Sequence, residues 1–348
     1  MKTATNILLI VTSSVSAYLL LEVAVRVLDV PPTPMEALPL PYYQLSESPA
    51  RRFEYIPGYS SDDKSQDSSH FGFRINSAGF RDHEYDLIKP DGIYRVLALG
   101  DSTTAGNGVP DVDDTYPKVL ERKLNAPGQS GASFEVLNMG VGGYQTMQEV
   151  ETLRTKGLAY DPDLVLLTVC ANDLVLHADG RVYRRLKERA QDPEAFAGPS
   201  WLGRLLKSSR LAFILYYRLT TSLGIEEEDH WYEDAILHGR PALDAGLQLL
   251  EELRRTHGFA VRVLVLPTFR EPFDDYQQME YHERVRDAAE DLPGVRVVDL
   301  LEGFADSGDD HESLSYDGLH MSARGHRVMA ELLLPTVLRI ASEPDSHQ

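Results

Sequence analysis

The sequence predicts an α/β protein, a parallel sheet covered by helices on both faces. Two observations carry this. From Tyr94 onward, short apolar runs alternate with amphipathic helix-like stretches, the pattern of a sheet whose strands are joined by crossover helices. The first run, Val96 to Leu99, is cut off by Gly100 and then presents Ser102 among small residues. That is a buried strand ending in a tight turn, with one hydroxyl at the sheet edge where open α/β folds bind ligands.

Length and composition set the frame. A chain of 348 residues, 43% hydrophobic and 25% charged, can bury a full core in one large domain or two small ones. The net charge of −20 opposes nucleic-acid binding, which relies on Lys and Arg to neutralise phosphates. Cys170 is the single cysteine, so an intrachain disulfide and a multi-cysteine metal site are both excluded.

In chain order, residues 7–28 are apolar and interrupted late by Glu22 and Arg26. Their length matches the roughly 20 residues that cross a bilayer. No small-x-small cleavage pattern follows, so an uncleaved transmembrane helix is expected over 1–30, with the bulk of the chain outside the cytoplasm. A buried amphipathic helix is the alternative. The prolines at 31, 32, 34, 39 and 41 and a Ser/Asp-rich stretch at 60–69 read as a spacer over 31–69. The strip Phe71 to Asp82 mixes aromatics and glycines and is expected as a short hairpin or extended strip. Arg74 and Arg81 within it are expected to pair with acids.

The main domain is expected over 70–342. Its strands are predicted at 94–99, 134–138, 164–169, 260–266 and 295–299, and its helices near 115–125, 147–157, 242–256, 276–291 and 322–341. An insertion at 174–240 follows the third strand. Its apolar part, 201–217, is placed to act as a lid, to lie on a membrane surface or to pack as an ordinary helix pair.

Four short blocks carry chemistry. Ser102 is a candidate nucleophile. Asp317 stands three residues before His320 in a Gly-containing loop, where a tight turn can bring its carboxylate to the imidazole and fix the tautomer. Metal is disfavoured there, because no further ligands complete a set. Asn138 to Tyr144 holds glycines at 140, 142 and 143, so its backbone N–H groups can approach a ligand closely. Asn172, after the third strand, can aim its amide at the same oxyanion, and Asp173 suits a cap or loop bond.

Together, Gly100-Asp101-Ser102, Asn138-x-Gly140-x-x-Gly143, Ala171-Asn172-Asp173 and Asp317-Gly318-Leu319-His320 resemble the SGNH (GDSL-like) hydrolase family. The strip Asn76 to Arg81 and Asp114-Thr115-Tyr116-Pro117 resemble its membrane-anchored bacterial members. The resemblance implies a three-layer α/β/α sandwich with a flavodoxin-like sheet of five parallel strands. It also implies Ser102 as nucleophile, His320 as general base and acid, and Asp317 as the orienting acid. Oxyanion donors would be the N–H of Ser102, the N–H of Gly143 and the side chain of Asn172. Cys170 stands where members often carry Gly; at the end of an apolar strand, it is expected in the core.

The expected activity is hydrolysis of a short-chain or acetyl ester through an acyl-enzyme. The same triad would serve an extracytoplasmic O-acetyltransferase acting on a surface polysaccharide. A third alternative is a catalytically silent binding module on this fold. No cofactor or metal is expected. The expected partners are a small-molecule or carbohydrate ester and the membrane, not nucleic acid.

Overall fold

The computed structural model describes residues 2–27, 42–60, 74–174 and 240–343, with isolated positions between 182 and 215. The chain forms two compact units. One gathers 1–40, 63–71 and 185–229; the other gathers 41–62, 72–184 and 230–348.

In the first unit helix α1 runs from Lys2 to Val27. Among the described residues no helix is long and apolar enough to cross a membrane, and the expected transmembrane anchor is not supported. Helix α1 mixes apolar residues with polar ones. Thr12, Ser13, Ser14 and Ser16 put hydroxyls through its middle, and Glu22 and Arg26 pair at 2.7 Å near its end. Glu22 is also engaged by protein. Its carboxylate accepts from Ser209 Oγ and from the Leu211 N–H, both at 2.9 Å, where a helical segment starts. The lid expected of the 174–240 insertion falls almost entirely outside the described residues.

The second unit holds the sheet. A small antiparallel hairpin pairs β1 (Tyr43–Leu45) with β2 (Phe53–Tyr55), inside the stretch read as spacer. The main strands are β3 (Ile93–Leu99), β4 (Ser133–Asn138), β5 (Leu164–Val169), β6 (Ala260–Val265) and β7 (Val295–Asp299). They pair in the order β4-β3-β5-β6-β7, and every pair is parallel. The five-stranded parallel sheet stands, and its strands begin and end within a residue of expectation.

The helices around the sheet follow from amphipathic patterning. They are α3 (Tyr116–Leu124), α4 (Thr146–Thr155), α5 (Arg240–His257), α6 (Met279–Ala289) and α7 (Ala323–Ser342), with the short α2 (Ser102–Ala105) opening directly from β3. Helix α3 packs on α7, while α4 packs on α5 and α5 on α6. Alternate strand residues serve the two layers. Val96, Ala98, Val136, Leu164 and Leu166 join one core with Leu120, Val328 and Leu333 of α3 and α7. Every residue of β5 is buried, as a central strand covered on both faces requires. Because β3 lies between β4 and β5, the direction of winding reverses there, and the crevice opens beyond the carboxyl ends of β3 and β5.

Candidate active site

Ser102 is the first residue of α2, immediately past that crevice edge. Asp101 caps the helix: its Oδ1 accepts from Thr103 N–H and Thr103 Oγ1, both at 2.8 Å. The cap fixes the turn that turns the serine outward, a structural role for Asp101. Ser102 Oγ lies 2.9 Å from His320 Nε2 and only 3.4 Å from Asp101 Oδ2, so the imidazole is its closer partner.

His320 sits in a loop closed by the Ser315–Met321 bridge. Ser315 Oγ donates to the His320 carbonyl at 2.7 Å and accepts from Gly318 N–H at 2.9 Å. Asp317 makes the remaining links. Its Oδ1 accepts from the N–H groups of Leu319 (2.9 Å) and His320 (2.7 Å), and its Oδ2 lies 2.7 Å from His320 Nδ1. Burial raises the carboxyl's pKa, but the bonds to His320 and the backbone outweigh it and leave the pKa below the ordinary value. An ionised carboxylate can only accept, so Nδ1 carries the proton and Nε2 turns its lone pair to Ser102. The Tyr316 ring stacks on the imidazole, centroids 5.6 Å apart.

The loop after β4 is tied to α2 through Asn138. Its Nδ2 donates to Thr104 O at 2.9 Å and its Oδ1 accepts from Gly140 N–H at 3.0 Å. Gly143 has φ +81°, a left-handed conformation that glycine adopts without strain. Among the described residues, neither the Gly143 N–H nor the Ser102 N–H has an acceptor. Asn172 is engaged differently from expectation: its Nδ2 donates to Asp101 Oδ2 at 2.8 Å. An amide nitrogen has two protons, so this bond locks the side chain while the second proton remains to be donated.

Asp173 is buried. Its Oδ1 accepts from Thr146 N–H (2.6 Å) at the start of α4, and its Oδ2 accepts from Cys170 N–H (2.7 Å). Burial and the neighbouring Asp101 push its pKa up to about 7, against the pull of those bonds.

The profile of the GDSL-like lipase/acylhydrolase family matches residues 98–328, more than half of the chain. The chain belongs to this family. It is an ester-hydrolysing enzyme. Among solved structures, an acetyl xylan esterase (AlAXEase) is 16% identical, with 70% of this chain and 99% of that one covered at a TM-score of 0.44. A lipase from a goat rumen metagenome is 18% identical, with 73% and 100% covered at 0.43. An acetylxylan esterase from Geobacillus stearothermophilus is 17% identical, with 70% and 94% covered at 0.44. The curated proteins give no match.

In this GDSL-like acylhydrolase Cys170 is buried, with Sγ 3.3 Å from Thr103 Oγ1. Burial, then the charges of Asp101 and Asp173, hold its thiol well above the ordinary pKa, so it stays protonated and non-nucleophilic. Among the described residues no group of three His, Cys, Asp or Glu side chains could hold a metal ion.

The strip before β3 is described from Arg74 onward. There it makes one bridge, Ser60 to Arg74, and a turn held by Asn76 Oδ1, which accepts from Ala78 and Phe80 N–H. Arg81 lies buried within this strip. Its buried guanidinium donates to the carbonyls of Ala105, Gly106, Val109 and Pro110, the loop that follows α2. The loop's outward carbonyls need donors once buried, and one planar fork supplies them all. The sequence reading also passed over Tyr43 and Tyr55, whose hydroxyls hold the glycine loop. Three-residue strands after a proline-rich stretch offer too short a pattern to read.

Proposed function

We propose that this GDSL-like acylhydrolase is a serine esterase cleaving a short-chain acyl ester, acetyl included, through an acyl-enzyme on Ser102. The observation that carries the reading is the unbroken chain of contacts Ser102–His320–Asp317, at 2.9 and 2.7 Å. In the forward step Ser102 Oγ attacks the ester carbonyl carbon and its proton passes to His320 Nε2. Asp317 stabilises the imidazolium through Nδ1. The oxyanion is received by the N–H of Ser102, the N–H of Gly143 and the second amide proton of Asn172. His320 then protonates the departing alcohol. A water molecule takes the alcohol's place and attacks the acyl carbon as its proton passes to His320. The intermediate then breaks its bond to Ser102 Oγ, which takes that proton back, and the acid leaves.

A polar substrate suits the surroundings. A cavity of about 340 Å³ flanks the Asp317 loop, lined by Arg270, His311, Glu312 and Tyr316 among others. With the half-exposed Tyr316 ring at its edge, this polar surface lies beside the triad, where the alcohol part of an ester would extend. A ladder of p-nitrophenyl esters from acetate to decanoate, run with and without an oligosaccharide acceptor, tests the reading. Fastest turnover on the shortest esters with free acetate as product is the expected result. Acetyl groups accumulating on the sugar would assign the protein to acyl transfer instead. We also propose that the enzyme acts outside the cytoplasm, on the strength of the apolar stretch 7–28; cell fractionation with Ser102 labelling checks this.

A further inference from the structure

The hairpin β1–β2 lies outside residues 98–328, and its two strands set Tyr43 directly opposite Tyr55. Both rings are buried, tilted against each other with centroids 5.0 Å apart. Their hydroxyls converge on one residue of the glycine loop. Tyr43 Oη donates to the Gly142 carbonyl at 2.8 Å, and the Gly142 N–H donates to Tyr55 Oη at 2.8 Å.

The geometry matters because of peptide planarity. The carbonyl of Gly142 and the N–H of Gly143 belong to the same rigid unit, so fixing the oxygen fixes the direction of the N–H. Two adjacent glycines leave that plane free to rotate unless something holds it. An oxyanion donor works by being aimed before charge develops, and a bond to the carbonyl also polarises the N–H at the other end of the peptide. We propose that Tyr43 is a positioning residue of the oxyanion hole, its hydroxyl clamping the Gly142–Gly143 peptide so that the Gly143 N–H points at the developing oxyanion. This rests on the reading of Gly143 as an oxyanion donor. Burial, followed by the neighbouring tyrosines, keeps the Tyr43 hydroxyl protonated far above its ordinary pKa, so the clamp stays a donor through the working pH range.

Two variants test it from opposite sides. Tyr43→Phe removes the hydroxyl and keeps the ring. Gly142→Ala puts a methyl 2.6 Å from Tyr43 Oη and forces the hydroxyl away. Each is assayed on p-nitrophenyl acetate, with kcat divided by the fraction of sites titrated by a fluorophosphonate, so that lost folding does not count as lost catalysis. Loosening one donor is expected to lower kcat per titrated site about tenfold, less than the 10²–10³ of deleting one, with KM within about twofold. The double variant should lose no more than the worse single one, because both break the same contact. Unchanged kcat per titrated site in Tyr43→Phe, or a loss confined to KM or to the titrated fraction, would overturn the assignment. If wild-type protein is neither labelled nor active, the esterase reading itself has failed, a result distinct from an inert Tyr43.

Discussion

Replacing Asp317 by Asn separates geometry from charge in the triad. Asp317 Oδ1 serves two backbone N–H groups, at 2.9 and 2.7 Å, while Oδ2 serves His320 Nδ1. Asn has one acceptor oxygen. Leaving those two backbone donors unmet would cost about 1–3 kcal/mol each, so the oxygen stays with them and the NH₂ turns to the imidazole. Nδ1 must then accept, and the ring proton moves to Nε2, which faces Ser102 Oγ at 2.9 Å. The serine has lost its base although nothing has moved. Loss of the correct tautomer lowers kcat on the order of 10⁴, equivalent to about 5.5 kcal/mol in the barrier. KM and the melting temperature should hardly change. The assay is p-nitrophenyl acetate turnover alongside thermal unfolding. An Asp317→Asn enzyme within tenfold of wild type would refute this account of the loop.

Two further outcomes follow from the same geometry. Asn172→Ala deletes a proposed oxyanion donor, so kcat should fall about 10²–10³-fold with little change in KM; a loss mainly in KM would contradict that role. His326 is buried, accepts from Tyr116 N–H at 3.1 Å, and is held neutral to about pH 3 by burial first and then by Arg81 and His320. The unfolded chain binds a proton there below about pH 6.5 and the folded one does not. Stability is therefore whole above pH 6.5 and falls as pH drops toward 3, by at most about 1.4 kcal/mol per pH unit from this group. Urea unfolding at pH 7, 5 and 4 should show a smaller acid loss in His326→Asn, and equal losses would contradict the assignment.

The sheet was legible because its strands are apolar runs long enough to carry a pattern, and β5, apolar throughout, is the clearest. The contact between Asp317 and His320 was legible because they are three residues apart and one loop joins them. What escaped depends on contacts between distant segments. Arg81 lies among acids in the sequence, yet it is taken by four carbonyls of the loop after α2, a choice set by where that loop needs donors. The amide of Asn172 was read as aimed at the oxyanion; its bond to Asp101 requires β3 and β5 to be adjacent, which their sequence order does not reveal. Tyr43 sits about 100 residues from the peptide it holds, in a strand too short to carry a period. At the amino terminus, apolar length suggested a span, and Glu22 within it is bonded to Ser209 and Leu211, contacts that no local pattern shows.

The central claim is that Ser102 carries the acyl group. Incubating wild type and Ser102→Ala with a fluorophosphonate, then mapping the adduct by mass spectrometry, tests it directly. The account predicts one adduct, on the peptide containing Ser102, and neither label nor esterase activity in Ser102→Ala. Undiminished labelling or turnover in that variant would contradict it.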